Sequence, residues 1–371
     1  MKKAKYIALS SVALLLASCA SDDVLSTSQE DANAIVFNAV SDVSDIMRGV
    51  KVEESEFTSN GFSVYANAMK NGQPTPIMED TKVSTNDGGT TWNYAPIVYW
   101  PNDGSTVDFY GIYQQNFDNR NVLLSYGYDK RPKITYIVPQ TIDDHKDILW
   151  APPVLNATST TSPVTFNFQH ILTAVSMQVT DNLGDLVTAL AATSDDNFHK
   201  KSLYDAGGNY WGERDLLESE IINFKVESIE LSGDFPTHGI INPLETDPTK
   251  VWNMYYDETA RGGRTYTLRS DRDNFDVTDT SSNPTVKVTQ NKDDATLFLL
   301  PSGETTVTIK VNYSFSLYRD MGNSPVISGN YKFSSTQTKK IDFEVGKELK
   351  LNMSQPTTDP YTNSMSSLVK L

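Results

Sequence analysis

The chain is nearly free of cysteine. Cys19 is the one cysteine in 371 residues, which excludes a disulfide framework within the chain and a cysteine metal cluster. It directly follows an apolar stretch at 7–17. That stretch is shorter than the roughly 20 residues that a helix needs to cross a bilayer. Cys19 therefore has a role other than an intrachain disulfide bond.

Residues 1–18 have the layout of an export signal. Lysines at positions 2, 3 and 5 precede the apolar stretch, and small residues lead up to Cys19. Leu16-Ala17-Ser18-Cys19 resembles the lipobox of bacterial lipoproteins, in which processing enzymes acylate the cysteine and make it the new N-terminus. This resemblance predicts a lipoprotein signal peptide at 1–18, palmitate on Cys19 and a polar, acidic tether at 19–33. The alternative is an ordinary secretory signal with a chance cysteine.

Basic residues are outnumbered. The chain has 31 Lys and Arg against 47 Asp and Glu, so its formal net charge is −16. A surface of this sign repels phosphate backbones, and no basic cluster in the sequence offsets it. Nucleic acid is therefore excluded as an expected partner.

The common catalytic and cofactor motifs are missing from the sequence. There is no G-x-S-x-G, H-E-x-x-H or phosphate-binding loop. The four histidines lack the short spacing of metal ligands, and they are His145, His170, His199 and His238. The run DDHKD at 143–147 lacks the spacing of a calcium loop and is interpreted as a solvated turn. We expect no enzyme activity, no cofactor and no metal site.

Short strands separated by turns dominate the rest of the sequence. Residues 306–315 alternate apolar and polar side chains, the pattern of a half-buried strand. Dipeptides such as Asn60-Gly61 and Asn71-Gly72 mark turns between such runs. Helical patterning is limited to short pieces near 183–193 and 213–222. The pattern predicts an all-β fold made of β-sandwiches.

The length of the chain predicts more than one domain. The segment APPVLNATSTTSP at 151–163 is rich in proline, serine and threonine, which favours a linker. We expect an N-terminal β-sandwich domain at 34–160 and a C-terminal one at 161–353. Residues 354–371 follow a second break, SQPTTDP, and form a C-terminal extension.

Several segments, taken in order along the chain, resemble the fimbrillin family. They are TTWNYAPIVYWPNDGSTVDFYGIY (90–113), HKDILWA (145–151), PVTFNFQHILTAVSMQVT (163–180), VESIELSGDFPTHGIIN (226–242), LFLLP (297–301) and VGKELKLNM (345–353). Fimbrillins are the major and accessory subunits of type V pili. The resemblance implies two transthyretin-like β-sandwich domains in tandem, and a subunit that polymerises by strand exchange after proteolysis.

The resemblance also implies a processing site. By analogy an arginine-specific protease cuts between Arg48 and Gly49, although the family more often has alanine after the arginine. The cut would free a removable first strand within 34–48, whose residues Ile35, Phe37 and Ala39 alternate onto one face. The alternative is an exposed loop that is never cut.

The C-terminal extension is the candidate donor strand. Alternate residues of its last eleven are apolar or aromatic and share one face of an extended chain, and they are Tyr361, Met365, Val369 and Leu371. Pro356 and Pro360 separate the segment from the preceding sheet. The alternative is a frayed C-terminus.

Two functions follow from these patterns. The first is a structural subunit of a cell-surface fimbria, anchored in the outer membrane as a precursor and then extracellular, with other fimbrial subunits as partners in a homo- or hetero-polymer that supports adhesion. The second is a monomeric surface lipoprotein that binds glycan or a host or bacterial surface ligand. An aromatic cluster that could stack on sugars, or fill a core, comprises Trp92, Tyr94, Tyr99, Trp100, Phe109 and Tyr110.

The lipobox gives the first testable prediction. Replacing Cys19 with alanine removes the thiol that would carry the acyl chains, so cells fed labelled palmitate should yield an unlabelled, unprocessed precursor. Continued incorporation of label by the Cys19→Ala protein would show that Cys19 is not the attachment site.

Overall fold

The computed structural model describes the greater part of the chain. The described residues are 33–41, 52–114, 121–182, 201–204, 207–214, 221–256, 263–269, 275–277, 285–290, 296–320, 325–354 and 364–370. Strands dominate them, so the protein is mostly β, as the alternation predicts. None of the helices in these ranges is long and apolar enough to span a membrane.

Up to His170, the described residues form eight strands and one α-helix. The strands are β1 (Phe37–Ser41), β2 (Phe62–Lys70), β3 (Gln73–Val83), β4 (Thr106–Gln114), β5 (Val122–Tyr126), β6 (Pro132–Ile137), β7 (Ile148–Ala157) and β8 (Val164–His170). The helix is α1 (Glu54–Asn60). Two 3-10 turns, Ile142–Asp144 and Ser159–Thr161, flank β7.

The second half contains fourteen described strands. They are β9 (Thr173–Asn182), β10 (Lys201–Tyr204), β11 (Tyr210–Arg214), β12 (Ile221–Gly233), β13 (His238–Ile241), β14 (Trp252–Tyr255), β15 (Arg264–Arg269), β16 (Phe275–Val277), β17 (Thr285–Gln290), β18 (Leu297–Leu299), β19 (Gly303–Asp320), β20 (Pro325–Phe343), β21 (Glu348–Ser354) and β22 (Ser364–Lys370). A further 3-10 turn is Pro248–Lys250.

These strands form several sheets. A six-stranded sheet has the order β1-β8-β7-β4-β2-β3, and a five-stranded sheet the order β15-β12-β19-β20-β22. A third sheet has the path β16-β17-β9-β18, with β21 also paired to β9. β10 and β11 form a two-stranded ladder. The first and last described strands of the chain thus lie in different sheets, each at an edge.

A four-stranded sheet combines strands from both halves of the chain. Its order is β14-β13-β6-β5, and β6 pairs with β13 through residues such as Ile137 and His238. The described residues form two apolar clusters. The first joins β1 to one face of the six-stranded sheet. The second joins the other face, through side chains such as Tyr65 and Tyr110, to strands of the four-stranded and five-stranded sheets and to β9 and β18. The division into domains at 34–160 and 161–353 stays a prediction.

The proline-rich segment predicted as a linker is largely strand, and that prediction was wrong. Residues 148–157 form β7, which pairs with β4 in the middle of the six-stranded sheet. The ladder shifts register where Phe109 and Gly111 oppose Val154 and Ala151, so Pro152 and Pro153 fall in a bulge. A bulge tolerates residues that cannot donate a ladder hydrogen bond, and this explains why a proline pair occurs inside a central strand.

The helical predictions also need correction. Residues 213–214 belong to β11 and 221–222 to β12, so a helix does not cover 213–222, whereas 183–193 lies outside the described residues. The helix that does form, α1, has Phe57 as its one buried residue and therefore lacks apolar periodicity. It ends at Gly61, with φ 65°, where an added Cβ would lie 2.1 Å from the Val83 carbonyl oxygen. Asn60-Gly61 is therefore a turn, and glycine is required in it.

His145 lies inside the second apolar cluster, beside β18. Its side chain is 3% exposed, and its Nδ1 accepts the Phe298 N–H at 3.0 Å. Burial lowers the pKa of His145 to about 4, because the charged imidazole loses its hydration. The neutral ring therefore holds β18 against the segment that precedes β7.

This burial predicts a pH-dependent contribution to stability. The unfolded chain takes up a proton at His145 below pH ~6.5, and the folded chain only near pH 4, so the free energy of unfolding decreases as the pH falls through that window. The destabilisation caused by His145→Gln should therefore be smaller at pH 5 than at pH 7.5 by roughly 2 kcal/mol, measured by urea unfolding. His238→Gln is the matched control, because His238 is only half-buried. An equal effect of His145→Gln at both pH values would contradict the assignment.

Candidate functional site

The residues around β1 form the candidate site, and both edges of this segment are hydrogen-bonded. On one side β1 runs parallel to β8, with Phe37 opposite Val164 and Ser41 opposite Phe168. On the other side the Ile35 N–H donates to the Val98 carbonyl at 3.0 Å, and the Trp100 N–H donates to the Asn33 carbonyl at 3.0 Å. The segment 33–41 thus occupies a groove between β8 and residues 92–100. We call this space the β1 groove.

The β1 groove buries two large side chains. Ile35 is 0% exposed and Phe37 is 3% exposed, whereas Ala39 is half-buried and Val40 is 53% exposed. The Phe37 ring stacks on Phe166, with ring centroids 5.9 Å apart. Its edge contacts Tyr94 with centroids at 5.3 Å. The strand therefore contributes two apolar anchors to the core of the six-stranded sheet.

Tyr94 adds a polar contact across the groove. Its hydroxyl donates to the Ile35 carbonyl at 2.8 Å and also lies within hydrogen-bond distance of the Val98 backbone. Burial raises the pKa of Tyr94, so the hydroxyl keeps its proton and stays a donor at neutral pH. The Ile35 carbonyl, which points away from β8, thereby receives a partner from the facing segment.

A buried carboxylate holds the chain where it re-enters the fold. Val52, the first described residue after β1, is fully buried, and its N–H donates to Asp147 Oδ2 at 3.4 Å. Asp147 is 1% exposed and also accepts the Ile148 N–H, on Oδ1 at 2.9 Å. Its Oδ2 lies 2.7 Å from His170 Nδ1. The described residues on either side of 42–51 are thus held in place, those before it by the groove and Val52 after it by Asp147.

The interpretation of 143–147 as a solvated turn was wrong. His145 and Asp147 are both buried, and Asp147 pairs with His170 at the end of β8. Val52 and His170 are far from Asp147 in the sequence, and Ile148 bonds to Asp147 through its backbone. Local composition therefore does not reveal these contacts. The nearest signal is the apolar run ILW that directly follows Asp147.

The predicted processing and lipidation sites lie outside the described residues. These are Cys19, Arg48 and Gly49. Of the candidate donor strand, Tyr361 and Leu371 also lie outside them, while Met365 and Val369 belong to β22. β22 pairs antiparallel with β20 of its own chain, with Met365 opposite Ser335 and Val369 opposite Lys332. β22 and β1 therefore belong to different sheets.

The aromatic cluster considered as a sugar platform is mostly core. Trp92, Tyr94, Trp100, Phe109 and Tyr110 are each at most 7% exposed, and only Tyr99, at 48%, reaches the surface. These six side chains do not present a stacking surface.

The histidines that the structure describes are buried or packed against other side chains. His145 is buried, His170 pairs with Asp147, and His238 stacks on Tyr255 with ring centroids 4.8 Å apart. His199 lies outside the described ranges. Within those ranges, three or more His, Cys, Asp or Glu do not come together in a group able to hold a metal ion.

The burial in the groove gives a stability prediction. Replacing Phe37 with alanine removes a ring packed against Tyr94 and Phe166, and should lower the free energy of unfolding by about 3–5 kcal/mol in a urea titration. Val40→Ala is the control within the same strand, because Val40 is 53% exposed, and it should change stability by less than about 0.5 kcal/mol. Equal effects of the two substitutions would mean that β1 does not occupy the groove.

A solved structure shares this fold. A fimbrial protein from Bacteroides vulgatus superposes with a TM-score of 0.51 at 14% identity, over 91% of this chain and 99% of that one. A candidate cell adhesion protein from Bacteroides ovatus has a TM-score of 0.41 at 12% identity, over 91% and 96% of the two chains. One from Bacteroides uniformis has a TM-score of 0.40 at 13% identity, over 92% and 99%. At this identity the first likeness concerns the fold alone.

Sequence comparison identifies the family. No curated protein matches the chain. The family model described as fimbrillin-like matches residues 51–358, which is most of the chain and includes β2 to β21. The protein therefore belongs to the fimbrillin-like family.

Proposed function

We propose that the protein is a structural subunit of a cell-surface fimbria that polymerises by donor-strand exchange. In this proposal it is exported as a lipoprotein acylated at Cys19 and held at the outer membrane. An arginine-specific protease then cuts after Arg48, and the subunit joins other fimbrial subunits outside the cell. The observation that carries the proposal is the β1 groove. A single short strand fills it, and one segment, 42–51, links that strand to the rest of the fold.

Proteolysis in 42–51 would turn β1 into a separable piece. After a cut at Arg48, the strand is held by non-covalent contacts, which include its backbone hydrogen bonds, the Asn33 side-chain bond to the Trp100 carbonyl and the burial of Ile35 and Phe37. Val52 stays anchored to Asp147, so the new end of the body remains in place. The cut therefore removes the covalent link without disturbing the walls of the groove.

An empty groove would be unfavourable, and this drives its refilling. Loss of β1 exposes apolar walls that include Phe109 and Phe166, both 0% exposed in the intact chain. Burying one large apolar side chain recovers roughly 1.5–3 kcal/mol, and each remade backbone hydrogen bond adds about 0.5–1.5 kcal/mol. A strand from another subunit that carries two apolar anchors on one face would supply both contributions.

The C-terminal extension has the composition of such a strand. Tyr361, Met365, Val369 and Leu371 share one face of an extended chain, with polar residues such as Ser364 and Ser366 on the other. Residues 364–370 already form a strand, but its register shift sets Met365 opposite Ser335 and Val369 opposite Lys332, on different faces of β20. A donor strand that points both side chains into one groove would therefore be more regularly extended than β22. The finer architecture, two transthyretin-like β-sandwiches in tandem, belongs to the same proposal, and the apolar cluster confined to residues 35–168 supports a separate N-terminal sandwich.

Processing gives the first test of this function. Arg48→Ala should leave an acylated monomer at the cell surface, because the link between β1 and the body stays intact. Lys51→Ala is the matched control, since it removes the next basic residue but leaves the arginine. Fibre lengths are measured by electron microscopy. Fibres of wild-type length from the Arg48→Ala strain would contradict the proposed processing.

The tail gives the second test. Deleting residues 361–371 should block addition of the next subunit, and Met365→Asp combined with Val369→Asp should act in the same way, because charges are costly to bury in an apolar groove. Ser366→Asp, on the opposite face of the strand, should leave polymerisation nearly unchanged. Fibres that form normally without residues 361–371 would remove the tail as the donor.

A further inference from the structure

The C-terminal strand already has a partner in its own subunit. β22 adds antiparallel to the outer edge of β20, with Ser334 opposite Ser366 and Tyr331 opposite Lys370. The other edge of β20 pairs with β19 along its whole length. Without β22, residues 331–336 would present unpaired backbone groups at the edge of the five-stranded sheet.

This stretch of β20 is a well-supported surface for a strand. Tyr331, Phe333 and Ser335 are at most 2% exposed, so one face of the strand is held in the core. The Phe333 ring stacks on Tyr313 with centroids 4.7 Å apart, and the Tyr331 ring on Phe315 at 5.3 Å. Packing of this kind fixes the backbone that β22 pairs with.

We infer that the edge of β20 at 331–336 is a second strand-binding site, which holds the subunit's own C-terminal strand and withholds it from polymerisation until a neighbour offers an empty groove. The inference rests on the proposed function, because it takes residues 361–371 to be the donor. Met365 and Val369 belong both to the strand paired with β20 and to the proposed donor face. The same residues cannot occupy both places, so the strand must leave β20 before it enters a groove.

The energetics allow this transfer and give it a direction. Backbone hydrogen bonds lost at β20 are remade in the β1 groove, so the ladder contribution largely cancels. The remaining free-energy gain comes from covering the apolar walls of the empty groove. This gain is available only after β1 has left. Before proteolysis no groove is open, and the strand stays on β20. Because only the released fraction of tails can react, pairing with β20 lowers the apparent rate of addition to that fraction of its value for a free tail.

A reversible crosslink tests the inference. Opposed residues in an antiparallel ladder have Cα atoms about 4.5–5.5 Å apart, within the range that a disulfide spans. The full-length lipoprotein carrying Ser334→Cys and Ser366→Cys is purified in detergent, oxidised, treated with an arginine-specific protease and followed by light scattering. Acylation removes the thiol of Cys19 from the chemistry. We expect near-complete disulfide formation in the monomer, subunit addition slowed about tenfold or more by oxidation, and recovery in dithiothreitol.

The controls separate this inference from the proposed function. Ser366→Cys with Thr267→Cys places the second thiol on β15, at the opposite edge of the same sheet, and should not crosslink within the subunit. Absence of the Ser334–Ser366 disulfide, or equal rates for oxidised and reduced protein, would overturn the inference. If wild-type protein also fails to polymerise, the proposed function fails and the withholding role with it, whereas the disulfide yield still decides where the tail lies.

A second measurement does not depend on introduced cysteines. Hydrogen–deuterium exchange of the peptide covering 331–336 is compared between the intact chain and the chain without 361–371. Deletion should speed exchange there, because amides that pair with β22 become exposed to solvent. A peptide from 306–312 in β19 is the internal control. Unchanged exchange at 331–336 would overturn the pairing.

Discussion

The burial of one short strand between β8 and residues 92–100 is the contact on which the candidate site depends. Ile35 and Phe37 complete an aromatic core that also contains Tyr94, Phe109 and Phe166. The strand forms backbone hydrogen bonds with both of its neighbours. A strand held in this way is stable in place, and its absence leaves a cavity with unpaired edges. The same contacts therefore stabilise the intact chain and, in the proposed exchange, define what an incoming strand must supply.

Anchors lie on either side of residues 42–51, and under the proposed cut they would make this strand separable. Tyr94 and the groove hold the upstream end, and the Asp147–His170 pair holds Val52 downstream. Asp147 lies in the HKDILWA segment, and His170 lies in PVTFNFQHILTAVSMQVT. Two segments that carry the family resemblance thus meet where the chain re-enters the fold after the proposed cut. In the proposed exchange, this fixed downstream end would keep the groove walls in register while the strand leaves.

The sequence predicts the strands better than it predicts their partners. Alternation in 306–315 locates β19, because half-buried strands have a period of two. Prolines obscured β3 and β7, the first an edge strand and the second bulged, where a missing N–H costs little. The Asp147–His170 pair and the pairing of β22 with β20 join residues distant in sequence. No local pattern specifies such contacts.

The first and last described strands both lie at sheet edges. β1 is at the edge of the six-stranded sheet and β22 at the edge of the five-stranded sheet, so each strand could leave without breaking a sheet in two. An electron cryomicroscopy map of the assembled fibre tests strand exchange most directly. We predict that the density between β8 and residues 92–100 traces to residues 361–371 of a neighbouring subunit. Density there for residues 33–41 of the same chain would contradict the account.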